Sequence, residues 1–107
     1  MTIDLPLWSM WNKNWYVVKG EIVDVAPHIK CATFAVHKHK HPEFGMCFKV
    51  SNIETGSFVG NGIIGVNKES KRLAIAQAAS LLSFYDDKSI YEYMKNKMIG
   101  RNLPMEE

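Results

Sequence analysis

Apolar and polar residues follow two different periods along this chain. Over residues 15–25 (WYVVKGEIVDV) they alternate, with Tyr16, Val18, Gly20 and Ile22 on one face. That is the period of a β-strand, which Pro27 ends. Residues 30–39 predict a second strand, with Ala32, Phe34 and Val36 facing inward, opposite Cys31, Thr33 and Ala35. The segment Pro42-Glu43-Phe44-Gly45 reads as a turn, because proline presets φ and glycine permits a positive one. Residues 46–52 predict a third strand with Met46, Phe48 and Val50 on one face. After a turn at Glu54-Thr55-Gly56, residues 57–66 predict a fourth, interrupted by Gly60, Gly62 and Gly65.

Beyond Val66 the period becomes helical. Asn67 suits an N-cap, and Ile75, Ala78, Ala79, Leu82 and Tyr85 form one stripe whose alanines allow close approach to a sheet. Asp86 or Asp87 can cap a second helix over residues 88–99, with Ile90, Met94 and Met98 on one side, Gly100 as C-cap and Pro104 beyond. The expected fold is α+β: a four-stranded antiparallel sheet with two C-terminal helices packed on one face. One domain accounts for residues 1–107, divided into a Trp-rich segment 1–14, a sheet over 15–66 and helices over 67–99. Trp8, Trp11 and Trp15, spaced i, i+3 and i+7, point to a short helix at the start, with Trp15 buried.

Composition supports a folded domain. The chain has 107 residues, of which 47% are hydrophobic and 22% charged, enough apolar matter for a core and close to the globular norm. The net charge of +2 matters less than its distribution. From residue 27 to residue 41 there are Lys30, Lys38, Lys40 and four histidines without one acid, whereas Asp86, Asp87, Glu92, Glu106 and Glu107 come late. No run approaches the roughly 18 apolar residues of a membrane helix. The first residues lack the basic and apolar regions of a signal peptide. Cys31 and Cys47 are therefore expected as reduced thiols in a cytoplasmic protein, with a single disulfide as the alternative.

The stretch HKHKHPEFG, residues 37–45, has no apolar face. If residues 30–52 form a hairpin, everything from His37 outward projects past the core. Three readings fit. It is a solvated hairpin end whose lysines discourage edge pairing. Or it is an arm that brings Lys38, His39, Lys40 and His41 to nucleic-acid phosphates. Or it is a metal site, because His37 and His39 share a strand face and Cys47 sits across from His39 in one register. The motif GNGIIG, residues 60–65, matches G-x-G-x-x-G, but a dinucleotide site needs a βαβ unit and only helical pattern follows. Its glycines read as bulge and turn positions.

The start of the long helix carries Lys68, Lys71 and Arg72, the wrong sign for the positive end of a helix dipole. Either an anion visits, for which a phosphate is the obvious candidate, or Glu69 offsets part of the charge. Ser70-Lys71-Arg72, Ala74, Ala78-Ala79 and Leu81 resemble the helix signature of double-stranded-RNA-binding domains. The resemblance covers residues 28–85. It implies that the loop from His39 to Phe44 enters a minor groove, while Lys71 and Arg72 touch phosphates across the major groove. Ile75 departs from it, standing where a third basic residue is usual, and so does the strand over residues 15–25.

Trp8 and Trp11 either close one end of the core or form an exposed anchor for a protein partner. No nucleophile elbow, zinc-protease motif or phosphate loop is present in the sequence, so no reaction and no cofactor are expected. The leading expectation is a small nucleic-acid-binding protein, duplex preferred, that contacts phosphates through the basic hairpin and the helix start. The alternative is a protein-interaction module, an inhibitor or adaptor, docking on a larger protein through the Trp-rich N-terminus or the hairpin. A metal-binding protein using His37, His39 and Cys47 comes third.

Overall fold

The computed structural model describes residues 2–9 and 12–100, with the side chains of residues 98–100 outside the description. Five strands come first: β1 (Thr2–Ser9), β2 (Asn14–Val23), β3 (Phe34–His41), β4 (Gly45–Asn52) and β5 (Phe58–Ile64). Two helices follow, α1 (Lys68–Leu82) and α2 (Asp87–Gly100). The strands lie side by side in chain order, each antiparallel to its predecessor. The class is α+β, as expected, but the sheet has five strands rather than four.

The additional strand is β1, where the tryptophan spacing pointed to a helix. Its remaining residues have period two: Leu5 and Leu7 are fully buried while Thr2, Asp4 and Pro6 face out. Proline is tolerated because β1 is an edge strand. Trp8 and Trp15 are near each other because they are cross-strand partners in the β1–β2 hairpin, their rings 5.2 Å apart and edge-on. Trp15 is half-buried rather than buried, since it sits beside the turn of that hairpin, at the end of the sheet. Trp11 lies outside the described residues.

The helices supply one core. Phe34, Val36, Phe48 and Val50 from the sheet meet Ala74, Ala78 and Leu82 from α1, and Ile90 of α2 packs against the same cluster. The buried stripe of α1 is Ser70, Ala74, Ala78 and Leu82, one residue per turn. Ile75 and Ala79 flank it, while Tyr85 lies past the helix end and is exposed. Met46 is also exposed, so the inner face of β4 begins at Phe48.

Strand β3 starts at Phe34, not at residue 30, because the preceding residues have other partners. The Asp87 carboxylate accepts the backbone N–H groups of Lys30 and Cys31 at 2.6 and 2.9 Å. The His28 ring donates from Nε2 towards the carbonyls of Leu82 and Tyr85, at 3.2 and 3.0 Å, and so closes the C-terminal end of α1. The β2–β3 connection is thereby docked on the corner between the helices. Helix α2 continues through Gly100, beyond the C-cap expected there; Met98's side chain and Pro104 lie outside the described residues.

A second core sits on the face without helices. Leu5, Leu7 and Ala35 are wholly buried there, with Ile3, Tyr16, Val18 and Ile53 around them. The sheet covers itself by curling until β1 meets the β4–β5 turn. Trp8 N–H donates to the Gly56 carbonyl at 3.4 Å. Gly56 has φ of 69°, and a Cβ there would lie 2.7 Å from the Trp15 ring and 3.0 Å from backbone atoms of Pro6 and Trp8. The turn is stiffened from within, because the Asn52 side-chain oxygen accepts from the N–H and hydroxyl of Thr55 and the Glu54 carboxylate accepts from Thr33.

Gly56→Ala should therefore destabilise the protein by more than about 1 kcal/mol, through both the positive φ and the lost approach. For a domain of this size that corresponds to a melting temperature lower by about 4–8 °C per kcal/mol. Thermal unfolding followed by circular dichroism measures it. An unchanged midpoint would show that β1 does not depend on the turn.

Candidate nucleic-acid interface

Strand alternation divides the hairpin made by β3 and β4. Lys38 pairs with Phe48 and Lys40 with Met46, on the face that carries Phe34, Val36 and α1. His37, His39 and His41 point to the other face, with Ala35. Lys38 and Lys40 are exposed. His41 serves the turn: its Nδ1 accepts from the N–H groups of Glu43 and Phe44 at 3.1 and 3.2 Å, and its ring lies 4.8 Å from that of Phe44. Phe44, at the tip, is 64% exposed.

His37 does not project past the core, contrary to the sequence expectation. It is only 2% exposed, because the curled sheet and the Phe58 ring enclose it. The Lys38 carbonyl can only accept, so His37 Nδ1 carries the hydrogen in that 3.1 Å bond. Nε2 then accepts from the Ser51 hydroxyl at 2.7 Å. Burial lowers the pKa of this ring, only partly opposed by the bond to Lys38. His39 is half-buried beside Phe58, at 4.9 Å between rings, and is also lowered, first by burial and then by the charge of Lys49. Lys49 lies over the Phe58 ring at 3.9 Å.

The register that the metal reading needs is present, since His39 pairs with Cys47. The geometry does not complete a site. The two histidine rings are 6.5 Å apart and nearly perpendicular, and both nitrogens of His37 are engaged. The Cys47 thiol donates to the His39 carbonyl at 3.3 Å, and burial raises its pKa. Among the described residues no three His, Cys, Asp or Glu side chains are placed to hold a metal ion. Cys31 and Cys47 are free thiols; Cys31 is pushed up to about 11, chiefly by burial and then by Asp87.

The start of α1 carries its own cap. Asn67 accepts from the Ser70 N–H at 2.8 Å, and the Ser70 hydroxyl accepts from the Asn67 N–H at 3.0 Å, a reciprocal capping box. Lys71 reaches Glu21 on β2 at 2.5 Å, and Arg72 reaches Glu69 at 2.5 Å. Of the three cations that the sequence places at this helix start, Lys71 and Arg72 are thus paired with carboxylates. Lys68 is exposed, and like Lys38 and Lys40 it makes no ion pair among the described residues. Glu21 pairs with Val36, one step of roughly 6.6 to 6.8 Å from Lys38 on the same face of β3. The Lys71–Glu21 bridge therefore sets the start of α1 on the same side of the sheet as the hairpin lysines.

A groove of about 860 Å³ opens where the β1–β2 hairpin, the start of β5 and α2 come together. Rings of Trp8, Trp15, His39, Phe58 and Tyr93 line it, with Lys40 and Lys97 among the polar groups. Trp8 and His39 belong to the expected site; Phe58, Tyr93 and Lys97 do not. No local pattern in the sequence distinguishes these three, since only the curl and the α2 corner bring them to the tryptophans. Comparison with protein-family models, with curated proteins and with solved structures finds no match to this chain.

The buried neutral imidazole makes stability depend on pH. An unfolded histidine titrates near 6.5, while folded His37 and His39 titrate lower, so the unfolded chain binds more protons between those values. Stability should be full above about pH 6.5 and should fall as pH drops through the window beneath it. Glu21, Glu69, Asp86 and Asp87 are lowered carboxylates, whose contribution is lost only further down in pH. Urea unfolding at several pH values between the two regimes tests this. A flat profile in the parent would contradict it, and His37→Gln should reduce the slope.

Proposed function

We propose that this protein binds nucleic acid through its phosphates, using the outer end of β3 and the start of α1. The observation that carries the reading is the placement of Lys38, Lys40 and Lys68. They are exposed, free of carboxylate partners among the described residues, and set on one side of the sheet. Ammonium groups so displayed are suited to neutralising a phosphate backbone and displacing its counterions. The resemblance of the α1 start to double-stranded-RNA-binding domains adds support, since it puts the contacts on the same two elements. Lys71 and Arg72 become secondary contacts, because each is shared with a glutamate. His39 is held mainly neutral by its surroundings and contributes a ring rather than a charge, while His41 shapes the turn. The role is binding, without catalysis or cofactor, and the free thiols agree with a cytoplasmic setting. Among the described residues, no helix is long and apolar enough to cross a membrane.

A second reading, docking on a larger protein, draws on Phe44 and Met46, which expose apolar surface at the hairpin tip. Trp8 serves it less well, being half-buried against Trp15.

Each neutralised phosphate contributes about −0.9 to the slope of log K against log salt on B-form DNA. Lys38→Ala with Lys40→Ala should weaken binding on every sequence and flatten that slope by roughly two units. Lys71→Ala with Arg72→Ala should flatten it less. Fluorescence anisotropy across a salt series measures both. No binding by the parent at low salt would overturn the reading in favour of a protein partner.

A further inference from the structure

The aromatic groove has a composition that the hairpin lysines alone do not explain. Its rings come from β1, β2, β3, β5 and α2, so they are fixed by the fold and not by one loop. Trp8 and Trp15 hold each other edge-on, and His39 meets Phe58 edge-on. Tyr93 is 47% exposed, with Lys97 5.4 Å above its ring. Among the described residues the lining includes Lys40 and Lys97 but no aspartate or glutamate. The polar remainder includes Asn12 and Asn14; the Asn14 side-chain oxygen accepts from Trp15 N–H at 2.8 Å, which leaves its amide hydrogens as donors.

We propose that this groove takes an unpaired stretch of nucleic acid, with bases stacked against Tyr93 and the tryptophan pair, Phe58 forming the wall behind them, and phosphates against Lys40 and Lys97. The proposal rests on the nucleic-acid reading above and names its substrate class. Flat aromatic faces receive any base, and a cationic border follows the backbone; together they are the usual means of holding a single strand. The volume lies within the roughly 300–1,000 Å³ of sites that hold drug-sized ligands, so it has room for splayed nucleotides. A duplex cannot use the same surface, because its bases are stacked on one another and only its edges and phosphates are offered. An apolar peptide would gain from the rings but would have to desolvate two ammonium groups with nothing to pair them. Lys40 is common to the groove and to the hairpin surface, so one strand can run from one to the other. On this proposal the groove favours a junction or an open strand, whereas the expectation from sequence was a duplex.

The test compares a short oligothymidylate with a DNA duplex of equal length, using the full chain at low salt and reading anisotropy and tryptophan fluorescence. The oligothymidylate should bind at least about tenfold more tightly than the duplex and should quench the tryptophans, as stacking does. Tyr93→Ala should weaken oligothymidylate binding roughly tenfold and leave the salt slope unchanged. Trp8→Ala should do the same; if it fails to fold, Tyr93→Ala carries the test, being an exposed position checked by circular dichroism. Duplex bound as well as single strand, with Tyr93→Ala silent, would remove the groove and leave the phosphate-binding hairpin standing. Binding to neither probe would remove both.

Discussion

The meeting of β1 with the β4–β5 turn is the constraint on which the rest of this structure depends. A five-stranded meander with helices on one side would ordinarily leave its other face in water. Here the outer hairpin is drawn across that face, and Leu5 and Leu7 are buried without any helix to cover them. The contact is backbone to backbone at its tightest point, with Gly56 under the Trp15 ring and beside the main chain of Pro6 and Trp8. A side chain at that glycine would hold the two apart. The polar network around Asn52, Thr55 and Glu54 exists to present the turn in that shape.

The same closure explains the histidines. Alternate histidines look like the start of a coordinating set when read along a strand, His37 and His39 with Cys47 across. Once the sheet curls, His37 becomes a buried polar link between β3 and β4, His39 a wall of the groove, and His41 a brace for the turn. The lysines between them fall on the opposite face and meet α1's side of the molecule. Alternation in the sequence is thus alternation of environment, and the two sets have different chemistry because only one of them is shielded from water.

Much of this was legible in the sequence, and the rest was hidden for identifiable reasons. Period two marked β2, β4 and β5, and the change of period with Asn67 marked α1 and its cap. The hairpin register pairing His39 with Cys47 was one of those open to a turn at Pro42, and the structure adopts it. β1 was obscured because three tryptophans at helical spacing outweighed the alternation of Ile3, Leu5 and Leu7. The late start of β3 depends on Asp87, more than fifty residues away, capturing the N–H groups of Lys30 and Cys31. Lys71 and Arg72 stood out as cations at the wrong end of a helix; Glu69 was visible as a counter-charge, but Glu21 becomes one only through the tertiary fold. The groove was not legible at all, since its walls are contributed by elements that no short pattern connects.

Strand β3 carries ammonium groups on one side and imidazoles on the other for most of its outer half. Because the side-chain period is two, adding or deleting a single residue before Lys38 would exchange the sets, sending charge into the closed interior and rings into solvent. The two surfaces are therefore locked to one phase. They can diverge by substitution at individual positions, but not by sliding, and any length change in this hairpin has to come in pairs or be taken up beyond His41, in the turn.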